Sequence, residues 1–85
     1  MPPTLKTRSA LFEEYFEKYK PALSSDVSAE RLARNTLGMY PKDIEFIVRE
    51  TMLYAARKEQ DVVTAKDFNE VMLALEAGHT YNQMS

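Results

Sequence analysis

Hydrophobic positions along this chain recur at helical spacing, with polar residues between them. In the first patterned segment Leu11, Phe12, Tyr15, Phe16 and Tyr19 make one broad apolar face, while Glu13, Glu14, Glu17 and Lys18 fill the other side. Thr7 or Ser9 stands where an N-cap is needed, and Pro21 stops the helix just beyond Tyr19. A short second helix follows, AERLARNT, with Ser28 as its predicted N-cap and Leu32 and Ala33 turned inward. Gly38 suits the left-handed C′ position that closes such a helix.

The stretch TLGMYPKDI, residues 36–44, leads into the longest pattern of the chain. Pro41 suits the first helical position, where its missing N–H costs nothing, and Asp43 complements the positive end of the helix dipole. This third helix is predicted to run from Pro41 to about Lys58. Ile44, Ile47, Val48, Thr51, Met52 and Ala55 form its apolar stripe; Phe46, Leu53 and Tyr54 widen it to a second face. A helix apolar on two sides is expected at the centre of a fold, packed on both flanks. Residues 61–63 read as a brief extended link, and Thr64 with Asp67 as a capping box. Phe68, Val71, Met72 and Leu75 carry a fourth helix that Gly78 ends.

The predicted fold class is therefore all-α, a four-helix domain built around one long central helix. Leu11, Phe12, Phe16, Ile44, Ile47, Val48, Phe68, Val71 and Leu75 are its expected core. The chain divides into a lead-in over residues 1–8, a helical domain over 9–78 and a flexible tail over 79–85.

Composition narrows the functions. A chain of 85 residues holds one small core, and 45% hydrophobic with 28% charged residues argues against disorder. The net charge of −2, with no basic cluster, counts against a nucleic-acid partner. Without cysteine there is no disulfide and no thiolate metal site. No apolar run approaches the roughly 20 residues of a membrane span, and no signal peptide is visible. The chain carries no GxxxxGK[ST] and no GxGxxG, and two glycines in all, so it builds no phosphate-cradling loop. His79, the single histidine, falls in the predicted tail with no partner at ligand spacing. Glu13, Glu14 and Glu17 read as a solvated helix face, and Asp67 as a cap. No catalytic residue and no metal site is expected, so the chain is not an enzyme in isolation.

One pattern is more specific. The run RLARNTLGMYPKDIEFIVRETMLYAARKEQDVVTAKDFNEVM resembles the helical lid of AAA-family ATPases, which carries LARxTxGFSGADLxxLVNEAALxAAR followed by VTxxDFxxA. Leu32, Ala33, Arg34, Thr36, Gly38, Asp43, Ile44, Val48, Glu50, Leu53, Ala55, Ala56 and Arg57 stand where the first motif expects them or a close equivalent. Val63, Thr64, Asp67 and Phe68 match the second. Upstream, PPTLKTRSALFEEY resembles the segment that leads from the large ATPase domain into the lid, with Arg8 at its arginine. The resemblance covers about residues 3 to 78. LARNT and AAR tilt it toward FtsH-type ATP-dependent metalloproteases, with proteasomal ATPase subunits second.

The resemblance implies a fragment of a hexameric, ATP-driven protein-pulling machine. Its partners would be the large ATPase domain of the same chain, neighbouring subunits of a homo- or hetero-hexamer and, indirectly, protein substrates. ATP or ADP, with magnesium, would be held mainly by the large domain, and no cofactor is expected for the lid alone. A position on the cytoplasmic face, anchored through segments elsewhere, would follow from an FtsH-like parent. In such lids the start of the third helix faces the nucleotide, which makes Gly38, Pro41 and Lys42 candidate contacts. Tyr15 stands where many members have histidine, as an aromatic wall to the adenine. The family's Phe-Ser-Gly-Ala has become Met39-Tyr40-Pro41-Lys42 here. Lys42 falls where other branches place a cationic sensor of the phosphates; the alternative is a solvated surface lysine, since the helix dipole disfavours a cation there. Two rival functions remain from the helix pattern: a histone-like dimerisation module and a free-standing peptide-binding adaptor.

Overall fold

The computed structural model describes residues 1–78; His79 and the tail expected over 79–85 lie outside them. Four helices follow in order: α1 Leu5–Tyr19, α2 Ala29–Arg34, α3 Pro41–Arg57 and α4 Ala65–Glu76. α1 packs against α2 and α3, and α3 carries α4 on its other flank. The long helix is thus central, but only its inner face is packed; Phe46 and Leu53 of the second face expected from the sequence stay exposed.

Capping explains most of the boundaries. Ser28 accepts from the Arg31 amide to start α2. At α4 Thr64 Oγ1 accepts from the Asp67 N–H at 3.2 Å while Asp67 Oδ2 accepts from the Thr64 N–H at 2.8 Å, the reciprocal pair read from the sequence. α1 departs from expectation: its N-cap is Thr4, which accepts from the Thr7 N–H, and neither Thr7 nor Ser9. Thr7 and Ser9 sit inside the helix, because Thr4, three residues before Thr7, already caps it. α1 closes at Lys20, left-handed at φ 49°, before Pro21.

Gly38 is left-handed, at φ +83°, but it does not close α2. That helix ends at Arg34, with Asn35 as its C-cap. The Thr36 hydroxyl folds back onto the Leu32 and Ala33 carbonyls, both at 3.1 Å. A separate turn then joins the Met39 N–H to the Thr36 carbonyl, and Gly38 supplies its positive φ.

Phe12, Ile44, Ile47, Val48 and Phe68 are fully buried, with Tyr15, Leu32, Ala33, Ala55, Val63, Val71 and Met72 completing the interior. Leu11, Phe16 and Leu75, expected in the core, lie at its margin. Phe16 bridges Phe12 and Phe68, with ring centroids 6.1 and 6.0 Å apart. The 61–63 link is extended: Val63 pairs in parallel with Leu23, donating to the Ala22 carbonyl and accepting from the Ser24 N–H. This bridge seats Val63 in the core and ties the α1–α2 loop to the α3–α4 loop. On the outer side of α3, Phe46 and Leu53 are 41% and 49% exposed, so the described chain covers them only in part.

Candidate functional site

The mouth of α3 is assembled from the turn that precedes it. Tyr40 is extended, at φ −94° and ψ 167°, and donates its N–H to Asp43 Oδ2 at 2.9 Å. The Tyr40 carbonyl accepts from the Asp43 and Ile44 amides. Pro41 has no N–H to satisfy, so the Lys42 amide is the one first-turn donor left without a bond to the described residues. Tyr40, Pro41, Lys42 and Asp43 are all exposed. The rim is therefore held rigidly from below and open from above.

Of the four residues singled out in the sequence, three meet at this rim. Gly38, Pro41 and Lys42 lie on the exposed corner, and Lys42 makes no ion pair with a described residue. Tyr15 is elsewhere. It is 8% exposed, in the seam between α1 and α3. Burial pushes its phenol pKa up, and the Glu45 and Glu14 carboxylates push in the same direction against Lys18. Glu45, one helical turn beyond Pro41, receives the Tyr19 hydroxyl and the Lys18 ammonium, the latter at 2.9 Å. Those two donors hold its carboxyl below the usual range against the opposing effect of burial. The groove beside the rim, about 260 Å³, is lined by Met39, Asp43, Phe46, Ile47 and Leu75 and by none of the four.

Two side-chain arrangements are not legible in the sequence. Asp67, expected as a cap, is also 1% exposed and accepts from Lys58 Nζ at 2.7 Å and Gln60 Nε2 at 2.6 Å. Nothing in the spacing of Lys58, Gln60 and Asp67 announces that convergence, because the α3–α4 loop folds them together. Arg8 was noted by motif alone; it is 3% exposed and its guanidinium ends on backbone carbonyls.

No group of three or more His, Cys, Asp or Glu side chains arranged to hold a metal occurs among the described residues. No helix among them is long and apolar enough to cross a membrane. The mouth offers a proline ring, one unengaged amide and one ammonium. The amide and the ammonium are hydrogen-bond donors, and the proline ring is an apolar surface beside them.

Fold and rim together define a four-helix domain with an exposed corner at the mouth of its central helix. By its sequence the chain belongs to the AAA+ lid domain family, whose model matches residues 26–70. It is 38% identical over 77 residues to the ATP-dependent zinc metalloprotease FtsH of Thermotoga maritima, a match over 91% of this chain and 12% of that protein. FtsH 4 of Synechocystis sp. is 37% identical over 89% of this chain and 12% of its own length. FtsH 4 of Sorangium cellulosum is 39% identical over 78% of this chain and 10% of its own. The chain thus spans about an eighth of the curated relatives it matches or less.

Proposed function

We propose that this chain is the lid of an ATP-driven AAA machine similar to the FtsH metalloproteases, closing over a nucleotide bound mainly by a large ATPase domain. The observation that carries this reading is the mouth of α3, where Tyr40–Asp43 are fixed by hydrogen bonds to Asp43 and Tyr40 yet exposed. Pro41 and Gly38 would pack beside the base, and the Lys42 amide would donate to its edge. Tyr15 would act from beneath, by supporting the first turns of α3 rather than by stacking in the open, since 8% exposure leaves little ring to offer.

ATP would supply the free energy, and its hydrolysis belongs to the large domain. The lid's own part is mechanical. Nucleotide that contacts both domains favours one angle between them, and its hydrolysis releases that preference. Helices capped at Thr4, Ser28 and Thr64 around a packed core let the lid swing as one body. Neighbouring subunits of a hexamer would receive the motion, and a membrane anchor, where the parent has one, would lie in other segments. The family match favours this reading over a histone-like dimer or a peptide-binding adaptor.

Hydrogen exchange tests it. In the ATPase that carries this lid, ADP should slow exchange at the amides of Lys42 and Asp43, whereas the isolated chain should respond to neither ADP nor ATP. Equal exchange with and without nucleotide in the intact protein refutes the reading. Lys42→Ala then separates its two roles. A fall in nucleotide affinity and turnover makes it a sensor, and unchanged values make it a solvated lysine.

A further inference from the structure

Two ionised side chains are buried among the described residues, Arg8 and Asp67. Asp67 has Lys58 as its counter-charge. Arg8 has no carboxylate partner among the described residues, and burying a guanidinium without one is unfavourable unless its donors are well satisfied. Its donors are divided between two separate parts of the chain. Nε and Nη2 donate to the Ala33 carbonyl at 3.0 and 2.8 Å, and Nη1 donates to the Pro3 carbonyl at 2.9 Å.

Each acceptor has a position that matters. Ala33 lies in the last turn of α2, where carbonyls are unsatisfied and the dipole is negative, so a cation is well placed. Its oxygen also receives the Thr36 hydroxyl, and the Thr36 carbonyl in turn closes the turn to Met39 that delivers Tyr40 and Pro41 to the mouth of α3. Pro3 precedes the α1 N-cap. Pro2 and Pro3 have fixed φ and no N–H, so a carbonyl is the only backbone handle by which this segment can be held. A planar fork reaches both acceptors at once, whereas a lysine ammonium is a single point charge.

We infer that Arg8 is a positioning residue: it pins the leading segment at Pro3 to the α2–α3 corner. The pivot toward a preceding domain then lies before Pro3, and the direction in which the chain arrives is rigidly tied to the rim at Pro41. This deepens the lid reading and rests on it for the mechanical consequence; the pin itself is tested without nucleotide.

The first measurement is backbone dynamics of the 85-residue chain by NMR relaxation. In the wild type the Thr4 amide should show an order parameter of about 0.85, and in Arg8→Lys, checked as folded by circular dichroism, it should fall below about 0.6. Should that variant not fold, the wild type decides alone: separate, sharp signals for the Arg8 Nη protons support the pin, and a single rotationally averaged signal overturns it. The second measurement is ATP turnover of the parent ATPase carrying Arg8→Lys. Coupling predicts a fall in kcat of about fivefold or more with little change in KM. Thr4 order that survives Arg8→Lys overturns the pin, and turnover equal to wild type overturns its coupling to the rim. Equal exchange at Lys42 and Asp43 with and without nucleotide in the wild-type parent would sink the lid reading while leaving the Thr4 result to decide the pin.

Discussion

Asp67→Asn keeps the shape of a buried side chain and removes its charge. The native carboxylate accepts from Lys58 Nζ at 2.7 Å, Gln60 Nε2 at 2.6 Å and the Thr64 N–H at 2.8 Å. Asparagine offers one oxygen, which in the Oδ2 position keeps both the Thr64 and the Gln60 bonds, but its NH₂ must then face Lys58, donor against donor. One charge-assisted bond, contributing about 1.5–3 kcal/mol, is lost outright, and the two that remain lose their charge. Lys58 is 34% exposed, so its ammonium can return to water, and the lower end applies. The expected loss is about 2 kcal/mol from a total of about 4–13 kcal/mol for a domain of this length. Tm should fall by about 8–16 °C. Acid gives a second signature. Burial alone would raise the Asp67 pKa, but bonds from Lys58, Thr64 and Gln60 outweigh it and bring it below 3.8. A depressed folded pKa means this stabilisation is complete above about 3.8 and disappears as pH falls through the folded value. Thermal and urea unfolding followed by far-UV circular dichroism, across that range, measure both effects. A neutral-pH loss under about 0.5 kcal/mol, with an acid limb parallel to wild type, would refute the network's role.

Glu50 has the opposite sign. Its Oε2 is buried with no hydrogen-bond partner among the described residues, and burial raises its pKa above 4.5 against the pull of Arg49. Ionisation as pH rises through the folded value therefore destabilises the domain, so Glu50→Gln should add about 1 kcal/mol at neutral pH, seen as a higher Tm; a lower Tm contradicts this. Gly38→Ala meets no atom within 4 Å of the added Cβ, so only its positive φ opposes the change. The expected loss in urea unfolding is about 1–2 kcal/mol, and one well above about 3 would reveal a steric cause instead. Phe46→Ser with Leu53→Ser should lower Tm only modestly, since both side chains are partly exposed, and should abolish concentration-dependent sedimentation of the wild type. Sedimentation equally concentration-dependent in both proteins would refute that.

Local rules were legible wherever partner and position lie within a turn of each other. Ser28, Pro41, the Thr64–Asp67 box and the four helices follow from spacing, because i to i+4 geometry is carried by the backbone itself. Start signals misled once, at Thr7 and Ser9. Several hydroxyls lie close together there, and the helix begins at the earliest of them, Thr4, which accepts from the Thr7 N–H. At the candidate site Gly38, Pro41 and Lys42 are neighbours in the chain and necessarily share a corner. Tyr15 reaches its place only through the packing of α1 on α3, which turned it inward.

What the sequence determined by itself is the set of helices, their order and most of their ends, since these depend on contacts between residues close along the chain. Tertiary structure alone decided that Arg8 reaches Ala33, that Lys58 and Gln60 converge on Asp67, and that Val63 pairs with Leu23. Each of these joins elements whose relative placement depends on how apolar faces pack, and no local spacing rule encodes that. Packing also left Phe46 and Leu53 partly exposed while it sealed Tyr15, a division between outer and inner faces that hydrophobicity alone does not draw.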